Sequence, residues 1–171
     1  MVGYAVLRNA SGPLHPPYKS RLETRSVSAC NMNERLLEAY RQERLSFLQY
    51  IRQATPYAGP ADRPLLERVL ALADAEAAGL DAFEEYLDEA RVPVPFVGAF
   101  PTAFTNYNFV AIRKLLPDLI ADEARGLAAL EKDAAELPPG DARTWLEKIA
   151  EANRVHLTEL EKLVDKSGGT A

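Results

Sequence analysis

Apolar residues recur three and four positions apart along the chain from Asn33 onward, and the alternation that a strand needs is nearly absent. This spacing predicts an all-α protein with four helices. The first predicted helix covers residues 34–53 and ends before Pro56, because proline disfavours helical geometry in the residue ahead of it. The second begins after Asp62, a residue type that caps helix N-termini, and ends before Pro93.

The other two helices follow from their apolar faces. The face of the third runs from Phe109 to Leu130, and Pro117 inside it either kinks the helix or marks its true beginning. A Pro-Pro-Gly sequence at 138–140 ends this helix. Asp141 is the predicted N-cap of the fourth helix, which has an apolar face of its own.

The connections between the helices discriminate between bundle topologies. Short loops join the first helix to the second and the third to the fourth, which makes each pair antiparallel neighbours. The link over residues 92–105 contains three prolines and no periodicity. Its length of about 46 Å when extended is enough to travel along a bundle, so the second and third helices are free to run parallel. Two antiparallel hairpins joined by such a crossover form the ferritin-like four-helix bundle, which is the predicted fold for residues 32–167. Four aromatic residues in or next to the link are predicted to cap the end of the bundle, with a ligand-binding lid as the alternative: Phe96, Phe100, Phe104 and Tyr107.

Composition excludes several classes of protein. A formal charge of −5 leaves no basic surface for a phosphate backbone, so nucleic acid is not an expected partner. The single cysteine, Cys30, cannot form an internal disulfide, and two histidines cannot build a many-histidine metal site. No apolar run reaches the roughly 18 to 20 residues of a membrane-spanning helix, so no membrane association is predicted.

The two ends of the chain lack the helical pattern. Residues 1–31 combine a short apolar start with a polar stretch rich in Ser, Arg and Pro, without the features of a secretory peptide. They are predicted to be a disordered tail of a cytoplasmic protein, or a gene-model extension ahead of a true start at Met32. Residues 168–171 are predicted to be a flexible C-terminus.

Each predicted helix places one strongly polar side chain on the stripe that it must bury, at about 100° of rotation per residue. These side chains are Glu43, Glu76, Glu123 and His156, and Asn153 lies one turn before the histidine. Unpaired carboxylates in a core cost several kcal/mol each, so something must neutralise them.

Two explanations are compatible with this pattern. Carboxylate oxygens and an imidazole nitrogen are a ligand set for iron or manganese in a bundle core. Alternatively, Arg44 pairs with Glu76 or Glu123, or burial keeps a glutamate protonated. For His156 alone, a hydrogen bond to Asn153 or to a glutamate is the simpler interpretation than metal ligation.

The spacing of these residues favours the metal. Glu43 precedes Glu76 by 33 residues, and Glu123 precedes His156 by 33 residues, so the two hairpins form an internal pseudo-repeat. Here the chain resembles the ferritin-like superfamily, in particular the rubrerythrin-like di-iron bundles. In those proteins the first and third helices each contribute a Glu, and the second and fourth each contribute Glu-x-x-His.

The resemblance is incomplete in the second and fourth helices. Gly79 stands where the first histidine of the pattern would be, after a matching Glu76. The fourth helix reads Asn153-x-x-His156 or, in the other register, His156-x-x-Glu159. The metal ligands implied by the resemblance are therefore Glu43, Glu76, Glu123, His156, Asn153 and Glu159.

The resemblance implies a bundle that binds one or two iron or manganese ions, for iron handling or chemistry on peroxide. It also implies side-by-side homodimers, since many such bundles pair in that way. The alternative function is a metal-free helical scaffold or protein-interaction module with a degenerate site. Whether the protein is an enzyme stays open in both cases.

Overall fold

The computed structural model describes residues 18–54 and 56–167, with side chains described from residue 31 to 164 apart from Thr55. The described chain is all-helical and contains no strand, which confirms the predicted class. Its five α-helices are α1 (Tyr18–Arg44), α2 (Phe47–Gln53), α3 (Arg63–Glu89), α4 (Ile112–Glu136) and α5 (Asp141–Ser167). Short 3₁₀ turns occupy Pro60–Asp62 and Thr102–Tyr107. None of these helices combines the length and the apolar character needed to span a bilayer.

The first helix starts earlier than the periodicity predicted. It begins at Tyr18 and not near residue 34. α1 therefore includes residues 18–31, which belong to the predicted tail. Residues 1–17 and 168–171 lie outside the described chain, so for these residues the tail and the flexible C-terminus stay predictions.

The prediction of one continuous helix over residues 34–53 is wrong, because the chain breaks at Leu45 and Ser46. The Ser46 hydroxyl accepts a hydrogen bond from the Gln49 N–H at 3.1 Å and so caps α2. The Phe47 N–H donates to the Asp122 carboxylate at 2.7 Å. The break thus satisfies two backbone donors that a new helix leaves without partners.

The predicted boundaries of α3 and α5 agree with the structure to within a few residues. Asp62 precedes α3, but its carboxylate accepts a hydrogen bond from Arg113 at 2.5 Å and does not cap the helix. Pro117 lies inside α4, which starts at Ile112, so this proline does not mark the beginning of the helix. Phe109 was expected on the apolar face of the third helix, but it precedes α4 and is exposed.

Two apolar clusters fill the interior, and the helices pass from one to the other. The Leu36 cluster is built from the C-terminal parts of α1, α3 and α4 and the N-terminal part of α5. The Phe47 cluster is built from α2, the N-terminal parts of α3 and α4, and Leu160 of α5. Consequently α3 and α4 both begin in the Phe47 cluster and end in the Leu36 cluster, whereas α5 runs the other way.

The segment between α3 and α4 returns the chain from one cluster to the other. Its aromatic residues pack on α2, with the ring centroids of Phe104 and Tyr107 lying 5.0 and 4.6 Å from that of Phe47. Phe100 lies 5.3 Å from the ring of Tyr50. The predicted capping of this end is confirmed for these three residues, but Phe96 is exposed.

Candidate metal centre

A layer of polar side chains separates the two apolar clusters. It consists of Glu43 from α1, Glu76 from α3, Glu123 from α4, and Asn153 and His156 from α5, and we call it the polar layer. Each of these side chains is at most 5% exposed. The helices therefore bury the single inward polar position that the sequence predicted for each of them.

Helical periodicity explains why these positions meet. Glu76 follows buried Ala73 by three residues and precedes buried Leu80 by four, so it shares their face of α3. Glu123 follows Leu119 by four residues on the buried face of α4. Because α3 and α4 both cross from one cluster to the other, positions midway along each helix come to the same height.

Glu43 is held by α5. The Asn153 amide donates a hydrogen bond to Glu43 Oε2 at 2.8 Å. Burial raises the pKa of the Glu43 carboxyl to about 7, although the Asn153 hydrogen bond opposes the rise. Gly126 of α4 leaves the space that this pair occupies, since a Cβ there would lie 3.2 Å from Glu43 Oε1.

Glu76 is held by the start of α2. The Gln49 amide donates to Glu76 Oε2 at 2.8 Å, and the Ser46 hydroxyl donates to Oε1 at 3.0 Å. Gln49 is itself buried and also donates to the Ala73 carbonyl at 2.9 Å. Burial, and then the neighbouring charge of Glu43, raise the pKa of Glu76.

Sequence reasoning missed Ser46 and Gln49, although a signal was present. Ser46-x-x-Gln49 matches the Ser/Thr-x-x-Glu/Gln pattern that marks helix N-termini. That pattern would have predicted both the break after Arg44 and a polar side chain beside it. Apolar residues at the helical spacing continue through this segment, so periodicity alone predicted an unbroken helix.

Two atoms of the layer have no hydrogen-bond partner among the described residues: Glu123 Oε2 and His156 Nδ1. Burial, with the charges of Glu76 and Glu43, raises the pKa of Glu123. Burial lowers the pKa of His156. The predicted hydrogen bond from the histidine to Asn153 or a glutamate does not satisfy Nδ1. Buried polar atoms without partners are rare and call for a specific explanation.

The predicted neutralisation by Arg44 is wrong. The Arg44 guanidinium binds Asp81 at 2.6 Å and Glu84 at 2.9 Å on α3. Within the described chain, no ion pair reaches Glu43, Glu76 or Glu123. Asp122 instead adds a further negative charge near all three.

Glu159 lies apart from the polar layer. Its carboxylate pairs with Arg68 of α3 and with Lys162, one turn further along α5. These partners lower the pKa of Glu159, with Lys162 making the largest contribution. The register Asn153-x-x-His156 is therefore the one that faces the interior.

A pocket of about 610 Å³ connects the polar layer with the surface between α1 and α4. Its lining includes Glu43, Glu76, Glu123 and Asn153 of the layer, and also Asp122. Pro101 and Phe104 of the crossover border it on another side. An ion or small molecule can thus reach the carboxyl groups without unfolding of the helices.

The donor atoms of the layer suit a hard or borderline divalent cation. Carboxylate oxygens and one imidazole nitrogen are the ligands that manganese and iron take in proteins. Glu123 Oε2 and His156 Nδ1 are the buried atoms of the layer without a protein partner. Among the described side chains, however, no set of three or more His, Cys, Asp or Glu residues is already positioned to hold an ion. In comparisons with protein-family models, curated proteins and solved structures, none matches this chain.

Proposed function

We propose that this protein is a ferritin-like four-helix bundle that binds one or two iron or manganese ions in its polar layer and serves in iron handling or peroxide chemistry. The observation that supports this most is the burial of three mutually repelling carboxyl groups with no cation of the described chain beside them. Such a group is unfavourable on its own, and a divalent ion would turn the repulsion into attraction.

The course of the helices supports the bundle. α1 and α2 lead from the Leu36 cluster to the Phe47 cluster, and α3 returns. The crossover then brings the chain back, so α4 runs parallel to α3 and α5 is antiparallel to α4. This is the order of directions in a ferritin-like bundle. By the same analogy we propose side-by-side dimers, which sedimentation analysis would detect.

Four side chains would hold the ion. Glu123 and His156 offer atoms without partners, and all three glutamates would bind through oxygens after losing their protons. Asn153, Gln49 and Ser46 would orient these carboxylates by their hydrogen bonds. The side chains must shift to reach bonding distance, since none of the described groups is preassembled. When bound, the ion would supply Lewis acidity and, for iron or manganese, one-electron redox chemistry.

Metal titration of the chelator-treated full chain tests the proposal. Addition of Fe²⁺ without oxygen, or of Mn²⁺, should saturate at one or two ions per chain. At a free metal concentration of about 100 Kd, unfolding should cost about 2.7 kcal/mol more. Calorimetry and thermal unfolding measure these quantities.

Two glutamine variants locate the site. Glu123→Gln preserves shape and removes the charge, so it should abolish the tight binding and the gain in stability. Glu85→Gln is the matched control, because Glu85 belongs to an exposed acidic groove on α3. If the wild-type protein binds no more tightly than Glu123→Gln, the metal proposal is wrong. The protonated, metal-free scaffold is then the better description, since burial and the neighbouring carboxylates favour the neutral acids.

A further inference from the structure

The buried side-chain amide of Gln49 is held at both of its ends. Its nitrogen donates hydrogen bonds to the Ala73 carbonyl at 2.9 Å and to Glu76 Oε2 at 2.8 Å. Its oxygen, Oε1, accepts a hydrogen bond from Arg52 Nη1 at 3.2 Å. Arg52 lies at the surface, in the last turn of the same helix α2. A chain of hydrogen bonds thus connects a surface guanidinium with a carboxyl group of the polar layer.

One orientation of this amide satisfies its surroundings. An amide nitrogen donates hydrogen bonds, and an amide oxygen accepts them. If the group turned over, its oxygen would face the Ala73 carbonyl and its NH₂ group would face the guanidinium of Arg52, so both contacts would be repulsive. Glu76 does not discriminate, because a carboxyl group accepts as an anion and can also donate as an acid. Ala73 and Arg52 therefore set the orientation of Gln49, and only Arg52 does so through its side chain.

The orientation of Gln49 affects Glu76. It directs an N–H to Glu76 Oε2, while the Ser46 hydroxyl donates to Oε1. A donor on an amide oxygen polarises the amide and strengthens the hydrogen bonds that its N–H groups donate. Hydrogen bonds of this kind favour the carboxylate over the neutral acid, and a divalent cation binds the carboxylate. Arg52 therefore acts on Glu76 through the amide, without touching the carboxyl group.

A surface ion pair is the alternative reason for an arginine at this position. Arg52 Nε binds Asp74 Oδ1 of α3 at 2.9 Å, and the two side chains are 41% and 67% exposed. Ion pairs with this exposure contribute little to stability. The ion pair uses Nε, whereas the bond to Gln49 uses Nη1. Substitutions can therefore remove one contact and leave the other in place.

We propose that Arg52 is a positioning residue for the polar layer, whose guanidinium holds the Gln49 amide with its NH₂ group directed to Glu76. The orientation of the amide is a property of the metal-free protein. Its effect on a bound ion rests on the proposed function, so the two are measured separately.

Solvent exchange of the glutamine side-chain amides in the chelator-treated full chain tests the orientation. The chain contains three glutamines, and the exposed Gln42 and Gln53 serve as internal references for Gln49. In the wild-type protein the NH₂ protons of Gln49 should exchange at least about tenfold more slowly than those of the references. Arg52→Met keeps a long side chain but removes the donor, so it should make the exchange at Gln49 about tenfold faster. NMR of ¹⁵N-glutamine-labelled protein measures these rates.

Three controls separate positioning from stability. Asp74→Asn removes the ion pair but leaves Arg52 Nη1 beside Gln49, so the Gln49 amide should exchange as in the wild-type protein. Arg52→Lys retains a donor and should restore part of the protection. The backbone N–H of Tyr50, which donates to the Ser46 carbonyl at 3.1 Å, reports opening of α2 and should keep its rate in Arg52→Met. An unchanged Gln49 rate in Arg52→Met, or an equal increase in Asp74→Asn or at Tyr50, would overturn the proposal.

Titration with Mn²⁺ measures the effect on a bound ion. Hydrogen bonds that orient metal ligands typically contribute 10- to 100-fold to affinity, so Arg52→Met should weaken Mn²⁺ binding by about tenfold. The loss of a positive charge alone would strengthen the binding of a cation, so the two explanations differ in sign. Arg68→Met removes an equal charge from the ion pair with Glu159 and should not weaken binding. Equal affinity of the wild-type protein and Arg52→Met would overturn this role of Arg52, whereas a wild-type protein that binds no Mn²⁺ would contradict the proposed function and leave the exchange result to decide the positioning.

Discussion

Two groups of ionisable residues lie close together on α1 and α3, and the fold treats them differently. In the surface group, Arg44 binds Asp81 and Glu84, and Tyr40 donates a hydrogen bond to Glu84. In the polar layer, Glu43 and Glu76 have only uncharged partners. Although Arg44 follows Glu43 directly in the chain, its charge serves the surface acids.

The difference follows from the direction of the side chains. Consecutive residues of a helix point about 100° apart, so Glu43 faces the interior and Arg44 faces the edge of α3. Ionising an acid at the surface costs little free energy, and the carboxylate pairs with any cation nearby. Acids in the layer must stay protonated or find a cation from outside. The contrast teaches that this layer is completed by protons or by an added ion. A change of pH tests that distinction, and three substitutions test the packing and pairing around the two groups.

The largest expected effect is that of pH on the metal-free protein. In the unfolded chain, the three glutamates lose their protons near pH 4.5. In the folded chain, Glu43 keeps its proton to about pH 7, and Glu76 and Glu123 keep theirs to higher pH. The folded state therefore binds more protons, and the free energy of unfolding falls as pH rises through this interval. Glu43 alone accounts for about 3 kcal/mol at about 1.4 kcal/mol per pH unit.

Urea unfolding between pH 5 and 8 in the presence of a chelator measures this decrease. His156 contributes in the opposite direction below pH 6.5, because its pKa is lowered, but it is one group against three. Saturating metal should remove the decrease, since bound carboxylates have already lost their protons. A metal-free stability that is flat or rises over this range would contradict the raised pKa values.

Alanine substitutions of two helical glycines give the next effect. Each should change the free energy of unfolding by about 1 kcal/mol, and the two changes should have opposite signs. Gly79→Ala should raise the free energy of unfolding by about 0.5 to 1 kcal/mol, because alanine is the better helix former and its methyl group meets nothing. Gly126→Ala should lower it by about 1 kcal/mol, because its Cβ would lie 3.2 Å from Glu43 Oε1 and 3.7 Å from Asn153 Nδ2. Denaturant titration of the pair measures the difference. Equal effects would mean that Glu43 moves aside freely.

The smallest effect is expected for Arg44→Ala. The residue pairs with partly exposed acids, and its guanidinium carbon also lies 5.3 Å from the centroid of the Tyr40 ring. Such contacts contribute about 1 kcal/mol or less, and salt weakens them. Chemical unfolding at low and high ionic strength measures this loss. A loss above about 3 kcal/mol would show that Arg44 does neutralise the interior.

The sequence by itself determined the helical class, most helix boundaries and the burial of one polar residue on each rod. These features depend on local periodicity, and apolar residues three and four apart leave only one face to bury. The spacing of 33 residues within each hairpin also predicted a common height for the polar positions.

Tertiary structure decided which groups touch. The break at Ser46 brings Gln49 to Glu76, although the helical spacing of apolar residues continues through the break. Glu159 turned out to face Arg68, because a few tens of degrees of helix rotation separate the interior from the surface. Arg44 found its partners on the neighbouring helix. Periodicity fixes which side of a helix is buried, but a hydrogen bond or ion pair depends on the rotation and offset of two packed helices, which neither helix encodes alone.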